Sequence, residues 1–324
     1  MTLSISVAMC TYNGQNFLHE QLASIAAQDR LPEELIVCDD GSSDGTRETL
    51  EAFGQRCGFA TKIVVNDLTL GSTKNFEKAI SLCHGKIVAL ADQDDVWYPQ
   101  KLKKIEEVFL GSSATVAAFS DADLIDHNSQ LLDGRLWSAF SFDAGEQDRF
   151  ANHRPLEVLV KHPVATGATM AFLRELFEIL IPIPPNHIHD RWVSFLLAAR
   201  GEVKAIPEPL IKYRRHAGQQ EGVPPQVRAE LIEHAKRRGA EFHLEEIERF
   251  CALREHLRQR RADFPYAGTA LIEIERKISH LGHRAQLPRQ RLARIPLVVQ
   301  ESLNRGYWRY SAGWNSIARD LLIR

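Results

Sequence analysis

Five short apolar runs, each followed by a helical or polar stretch, constrain this chain more than any other feature. They occupy residues 3–9, 35–38, 62–65, 87–91 and 115–119 and are rich in Val and Ile. Short unbroken apolar runs read as strands buried on both faces. Between them, Phe17, Leu18, Leu22 and Ile25 fall on one face of a helix, and Phe76, Ala79, Ile80 and Cys83 on one face of another. Strands alternating with helices build a mostly parallel sheet, because parallel neighbours need a crossover long enough to hold a helix. The expected class is α/β, a Rossmann-like, mostly parallel sheet flanked by helices. From about residue 226 glycine thins out and helical spacing takes over (Leu231, Ala235; Phe242, Ile247, Phe250, Leu253, Leu257). A C-terminal helical region is therefore expected over 224–324, beyond an α/β unit of residues 1–223, with Pro224-Pro225 as the hinge.

In sheets of this kind ligands bind at the carboxyl ends of strands, and polar clusters stand there. Thr11-Tyr12-Asn13-Gly14 follows the first run, Asp39-Asp40-Gly41-Ser42-Ser43-Asp44-Gly45 the second and Asp92-Gln93-Asp94-Asp95 the fourth. The three carboxylates of the last cluster repel one another. A divalent cation would relieve that repulsion, and hard oxygen ligands favour magnesium or manganese. The alternative is a solvated acidic turn that caps a helix beginning near residue 99. Asp39 and Asp40 suit a base N–H and ribose hydroxyls, while the glycines permit a tight turn. Neither GxxxxGK[ST] nor GxGxxG occurs, which removes the P-loop and the dinucleotide fingerprint. In His187-Ile188-His189-Asp190, ahead of an apolar helix over 193–199, Asp190 reads either as a general base or as a helix cap. The H-x-H spacing lacks a third metal ligand. Tyr213-Arg214-Arg215-His216 sets cations and an imidazole where phosphate or metal would sit, or else forms an exposed basic loop.

Net charge is −2, but it is unevenly shared: residues 254–324 hold 14 Lys/Arg and 6 Asp/Glu, a balance of +8, which leaves −10 for the rest. The acidic part suits a metal site and the basic part an anionic surface. The basic part also interleaves Arg284, Arg289, Arg291 and Arg294 with Ile295, Leu297, Val298 and Val299, and then Tyr307, Trp308, Tyr310 and Trp314. Such a mixture fits peripheral membrane contact through 254–324, or simple packing on the α/β unit. No motif that reads nucleic acid accompanies the charge. No apolar run approaches the roughly 18 residues that span a membrane, and the first residues lack the basic start of a signal peptide. The expected location is the cytoplasm or, peripherally, the inner face of the plasma membrane. The five dispersed cysteines, without a CxxC pair, argue against disulfides and zinc.

Taken in order, these residues resemble the family 2 glycosyltransferases of GT-A fold. Val7-Ala8-Met9-Cys10-Thr11-Tyr12-Asn13-Gly14 is similar to the family's V-x-x-x-T-Y-N start. Val37-Cys38-Asp39-Asp40-Gly41-Ser42-Ser43-Asp44-Gly45-Thr46 is similar to its V-D-D-G-S-x-D-G-T, and Asp92-Gln93-Asp94-Asp95-Val96-Trp97, with Pro99 and Lys101-Leu102, to its D-x-D segment. The likeness covers residues 5–216. His189-Asp190, Tyr213-Arg214-x-His216 and Gly306-Tyr307-Trp308-Arg309-Tyr310-Ser311-x-Gly313-Trp314 resemble the bacterial branch that includes rhamnosyltransferases of surface polysaccharides. Arg191, where many relatives carry an aromatic, and Gly218-Gln219, where Asn is frequent, depart from that pattern.

The resemblance implies an inverting hexosyl transfer from a nucleotide-diphosphate donor, dTDP-rhamnose or a UDP-sugar, to a hydroxyl of a glycan or lipid-linked acceptor. It implies that Thr11, Tyr12, Asp39 and Asp40 hold the nucleoside, with Asn13 and Gln93 in the same donor-binding set. Lys74 and Asn75 would lie near the phosphates, and Asp92 would touch ribose or a metal-bound water. Asp94, with His216, would hold magnesium or manganese, and Asp190 would be the base. Two rival readings fit less well. A nucleotidyltransferase that makes sugar nucleotides needs a Gly-rich basic loop after the first strand, whereas residues 11–15 hold one Gly and no Lys or Arg. A non-catalytic nucleotide-binding protein would have no need to keep both Asp94 and Asp190.

Overall fold

The structure, a computed structural model, describes residues 2–216, 218–219 and 239–322. The expected hinge at Pro224-Pro225, the boundary between 223 and 224, and Leu231 and Ala235 lie outside the described residues. The chain opens β1 (Ile5–Thr11), α1 (Gln15–Ala26), β2 (Glu34–Asp39), α2 (Thr46–Gly54), β3 (Ala60–Val65), α3 (Ser72–Ser81) and β4 (Ile87–Ala91). It continues β5 (Val96–Trp97), α4 (Lys101–Gly111), β6 (Thr115–Ile125) and β7 (Leu131–Arg135). Short helices α5 (Leu136–Ala139), α6 (Ala144–Ala151) and α7 (Pro155–Leu159) lead to β8 (Met170–Leu173), α8 (Phe177–Leu180), α9 (His189–Arg200) and β9 (Glu202–Arg214).

The strands form one sheet in the order β3-β2-β1-β4-β8-β6-β9-β5, with β7 paired to β6. β1 is parallel to β2 and β4, and β2 to β3. β8 runs antiparallel to both β4 and β6, so those two point the same way, and β9 is parallel to β6. The carboxyl ends of β1, β2, β4 and β9 thus open on one edge of the sheet. This is the expected α/β class, and a helical region follows it.

Side chains alternate across the sheet with the period of two that a pleat requires. Ile5, Val7 and Met9 of β1, Leu35 and Val37 of β2, and Ile87 and Ala89 of β4 join one core with Leu18, Leu22, Leu102 and Ile105, so α1 and α4 cover that face. Ala8, Ile36, Cys38, Val88 and Leu90 join the opposite core with Phe76, Ile80, Trp192 and Phe195, so α3 and α9 cover the other. Two strand expectations change. The run 62–65 is not buried on both faces: β3 pairs only with β2 at the sheet edge, and Val65 is exposed. The run 115–119 continues to Ile125, because buried Ser120 and Asp121 find partners inside the protein. The Ser120 hydroxyl donates to the Asp121 carbonyl, and Asp121 Oδ1 accepts from the Ala122 and Trp137 amides at 2.8 and 3.0 Å.

The C-terminal helices are α10 (Ala240–Gln259), α11 (Ala267–Ala285), α12 (Arg291–Leu303), α13 (Gly306–Tyr310) and α14 (Trp314–Leu322). They divide by what they pack on. Phe250, Leu253 and Leu257 of α10 and Ala270 and Ile274 of α11 join the core that holds Phe76 and Trp192. The last three helices gather a small core of their own, Leu287, Val298, Tyr307 and Ile317. So small an apolar cluster is completed by polar groups that satisfy one another. Arg284 donates to both oxygens of Asp320 at 2.6 and 2.9 Å, Tyr307 donates to Asp320 at 2.8 Å, and Arg294 donates to the carbonyls of Pro288, Arg289 and Asp320. Arg284, Arg294, Tyr307 and Tyr310, four residues of the expected interfacial mixture, are therefore buried.

Asp320→Ala should cost about 3–5 kcal/mol, because it strips a buried guanidinium of its carboxylate. The urea midpoint should fall, and amide hydrogen exchange should quicken over 287–322 while β1, β2 and β4 stay protected. An unchanged midpoint would contradict this account of the C-terminal core.

Candidate active site

At the ends of β1 and β2 the acids are already occupied by the protein. Asp39 accepts from Thr11 Oγ1 at 2.9 Å, Ser42 Oγ at 2.5 Å, Ser42 N at 2.8 Å and Arg47 Nε at 3.3 Å. A carboxylate has about four lone-pair sites, so Asp39 has none left, and it is fully buried. Asp40 accepts from Asn66 Nδ2, Leu70 N and Gly71 N at 2.7–2.9 Å and ties the loop before α3. Asn75 is buried too, donating to the Cys38 carbonyl and accepting from Asn66. These residues form a buried frame at the strand ends. Tyr12 and Asn13, by contrast, are exposed. Gln93 accepts from the Tyr12 amide at 2.8 Å and donates to the Tyr12 carbonyl at 3.1 Å, joining the first loop to the acidic cluster. A Cβ at Gly14 would meet the end of the Gln93 side chain and push its amide away from Tyr12.

Within Asp92-Gln93-Asp94-Asp95 the three carboxylates face different surroundings. Asp95 is buried; Oδ1 accepts from the Arg214 amide at 2.9 Å and Oδ2 has no partner among the described residues. Asp94 Oδ2 lies 2.8 Å from His216 Nε2. No protein group among the described residues donates to the Asp92 carboxylate, and burial, then Asp94, then Asp190 push its carboxyl up to about 7. Beneath the cluster, buried Lys101 lies 3.6 Å over the Trp97 ring and donates to the Ala168 carbonyl at 2.7 Å. Burial pulls its ammonium down to about 7, against the opposing pull of Asp95 and Asp92. Lys101 is thus a buried cation set against Asp92 and Asp95.

Asp190 lies in the first turn of α9, where a carboxylate suits the helix dipole. Its Oδ2 accepts from the Gly167 amide at 3.0 Å, and Oδ1 accepts no protein hydrogen bond among the described residues. Its charge is close enough to raise Asp92. α3 meets this turn through Thr73, whose hydroxyl donates to the His187 carbonyl at 2.8 Å, and Lys74 on the same turn pairs with Glu77 at 2.9 Å. The two histidines have separate surroundings. His187 Nε2 lies 3.0 Å from the Arg249 carbonyl, and His189 stacks on Phe76 at 4.1 Å with both ring nitrogens unpartnered among the described residues.

The basic segment 213–216 is not an exposed loop. Arg214 is fully buried; it donates to the Asp94 and Asp126 carbonyls, Ser129 Oγ and Glu20, and lies over the Phe17 ring. Its cation braces the acidic loop from below, which leaves His216 as the member of the segment that reaches Asp94. Gln219, one of the departures from the family pattern, donates to the Arg214 carbonyl and accepts from the His216 amide, holding that imidazole in place. Arg191, the other departure, pairs with Glu246 of α10 at 3.5 Å. Gly167 and Glu20 had no role in the sequence reading: each acts through a long-range contact that no local spacing reveals.

Among the described residues, no three His, Cys, Asp or Glu side chains converge as a self-sufficient metal cluster. The donor set nonetheless fits a divalent cation of the magnesium type, which takes one or two protein ligands and completes its shell with phosphate and water. Asp94 and His216 would supply the two, beside carboxylate oxygens of Asp95 and Asp190 that lack a hydrogen-bond partner among the described residues.

The chain is 28% identical over 223 residues to an uncharacterized glycosyltransferase of Nostoc sp., covering 66% of this chain and 65% of that protein. It is 29% identical over 126 residues to the UDP-Glc:alpha-D-GlcNAc-diphosphoundecaprenol beta-1,3-glucosyltransferase WfgD of Escherichia coli, covering 39% of this chain and 48% of that enzyme. The matched stretches thus span roughly half to two-thirds of those relatives' own lengths. Among solved structures, Staphylococcus aureus TarS residues 1–349 with UDP-GlcNAc superposes with a TM-score of 0.54 at 18% identity, over 94% of this chain and 92% of that one. The mannosyltransferase PcManGT of Pyrobaculum calidifontis, with GDP-Man and Mn2+, gives 0.53 at 19% identity over 94% and 76%. Both likenesses speak to the fold. The model of glycosyl transferase family 2 matches residues 6–180, more than half of the chain, and the chain belongs to that family.

Proposed function

We propose that the chain catalyses an inverting, metal-assisted glycosyl transfer from a nucleotide-diphosphate sugar to a hydroxyl of a glycan or lipid-linked acceptor in surface polysaccharide synthesis. The observation that carries this reading is the pair of carboxylates with oxygens to spare, Asp92 and Asp190, standing together beside Asp94 and His216 where strands end. Residues 1–223 do the chemistry in this reading, and 224–324 support it. The lipid-linked acceptor and a UDP donor follow from the Escherichia coli relative. A rhamnosyl donor follows from His189-Asp190, Tyr213-Arg214-x-His216 and the Gly306–Trp314 segment.

The chemistry assigns each group a task. Asp190 Oδ1 takes the proton of the acceptor hydroxyl while that oxygen attacks the anomeric carbon. The bond to the diphosphate breaks on the opposite face, so a single displacement inverts the centre and no glycosyl-enzyme forms. The Gly167 amide fixes Asp190 by its other oxygen, which sets the direction of proton transfer. Tyr12 and Asn13 line the nucleoside side, with Thr11 and Asp39 rigid behind them and Asp40 and Asn75 holding the loop that leads to α3. Lys74 turns from Glu77 to the phosphates. Asp94 and His216 hold the divalent cation, which supplies charge neutralisation to the departing diphosphate.

A thermal-shift screen of UDP-, dTDP- and GDP-sugars, with and without manganese, tests the reading. A cognate donor at about 100 times its Kd should stabilise the protein by about 2.7 kcal/mol, and only with manganese. No shift with any nucleotide would overturn it.

A further inference from the structure

The last three helices bury their acids and expose their arginines. From residue 286 to 322 the sequence holds two acidic side chains, Glu301 and Asp320, and both are buried. Glu301 accepts from His280 and His283 at 2.5 and 3.1 Å, and Asp320 is held by Arg284 and Tyr307. Arg289, Arg291, Arg305 and Arg309 remain at the surface. Arg309 pairs there with Glu273 of α11. The surface contributed by this stretch is therefore cationic without an opposing acid of its own.

The same helices leave an apolar stripe uncovered. On α12, Arg294, Val298 and Glu301 face inward. Leu292, Ile295, Val299 and Leu303 fall within an arc of about 80° on the other side, at about 100° per residue. Leu292 is 81% and Leu303 75% exposed. Trp314, at the start of α14, is 72% exposed and meets Trp308 edge to face. A helix that carries leucines outward, flanked by arginines and tryptophans, has the make-up of an element lying in a membrane interface. No helix among the described residues is long and apolar enough to cross one.

We infer that α12–α14 form a peripheral docking face for an anionic lipid bilayer, with the α12 stripe entering the acyl boundary and Arg289, Arg291 and Arg305 meeting headgroup phosphates. Charge complementarity selects this occupant. A second copy would bring its own uncompensated arginines against these, whereas an anionic bilayer offers the missing charge together with an apolar layer for the leucines. The inference stands apart from the donor chemistry, because none of these residues belongs to the site at the strand ends.

Co-sedimentation of the full chain with phosphatidylglycerol–phosphatidylcholine vesicles tests it, with pure phosphatidylcholine as the neutral arm. The chain should pellet with anionic vesicles, and at least about tenfold less with neutral ones or in high salt. L292D/L303D should lose at least about tenfold in binding at any salt, because it puts charge into the apolar stripe. R291Q/R305Q should lose the preference for anionic lipid. Both variants should keep the parent's thermal midpoint, since the four side chains are exposed, and nucleotide binding should be unchanged. Equal pelleting by parent and L292D/L303D would overturn the inference. So would a lipid-free dimer in sedimentation velocity that L292D/L303D dissolves, which would make the face a contact between copies.

Discussion

Replacing Asp190 with Asn should leave donor binding within a few-fold of normal and lower transfer by about 10² to 10⁴, the range general-base catalysis supplies. The structure makes this a clean substitution. Asp190 Oδ2 accepts from the Gly167 amide, and the carbonyl oxygen of Asn can accept the same bond, so the turn that opens α9 should hold its shape. The other oxygen becomes an amide nitrogen, which cannot take a proton from an acceptor hydroxyl. If Asp190 served only as a first-turn acid that favours the helix dipole, the change would cost about 0.3–1 kcal/mol of stability and nothing in turnover. Single-turnover rates, read beside donor affinity by calorimetry, separate these outcomes. Normal turnover with a lowered melting midpoint would return Asp190 to a structural role. Slow turnover with an unchanged midpoint would support the base assignment.

Much of this was legible in the sequence, for a physical reason. A strand buried on both faces must be apolar throughout, so β1, β2 and β4 stand out as runs, and whatever polar group follows such a run lies at a strand end. Thr11, Asp39 and Asp92 were found that way. What the sequence does not carry is how far a polar group is already satisfied. Asp39 and Asp92 look alike as acids after strands, yet Asp39 accepts four protein hydrogen bonds and no protein group donates to Asp92 among the described residues. Only tertiary contacts make that distinction. The same limit hid Arg214, which reads as an exposed cation and proves to be a buried brace. It also hid Arg284 and Arg294, which help to build a core instead of facing outward. β3 illustrates a further case: the apolar run is real, but a strand with a neighbour on one side only need not be buried.

Asp94→Ala should reverse the metal dependence of diphosphate binding. With manganese present, affinity for a uridine or thymidine diphosphate should fall at least about 100-fold, equivalent to about 2.7 kcal/mol, because the cation loses its main carboxylate. Without metal the variant should bind the diphosphate no worse than the parent, and by simple electrostatics better. Asp94 is, after burial, the strongest influence holding the Asp92 carboxyl up near 7, and its removal takes one negative charge from the face that must receive an anion. Collapse of the site would lower affinity under both conditions, so the opposite signs separate loss of a metal ligand from damage to the fold. The local frame should survive, since the Asp94 carbonyl, which accepts from Arg214 Nε, remains. His216 stays in contact with Phe17, with ring centroids 4.6 Å apart, and Gln219 still holds its backbone. His216→Ala should show the same manganese-dependent loss in weaker form, without the metal-free gain, because it removes an imidazole nitrogen rather than a carboxylate. Isothermal titration of the nucleoside diphosphate against parent and both variants, with manganese and with chelator, provides all of these comparisons. Equal affinity of parent and Asp94→Ala in manganese would remove Asp94 from the metal site and leave its contact with His216 as a structural hydrogen bond.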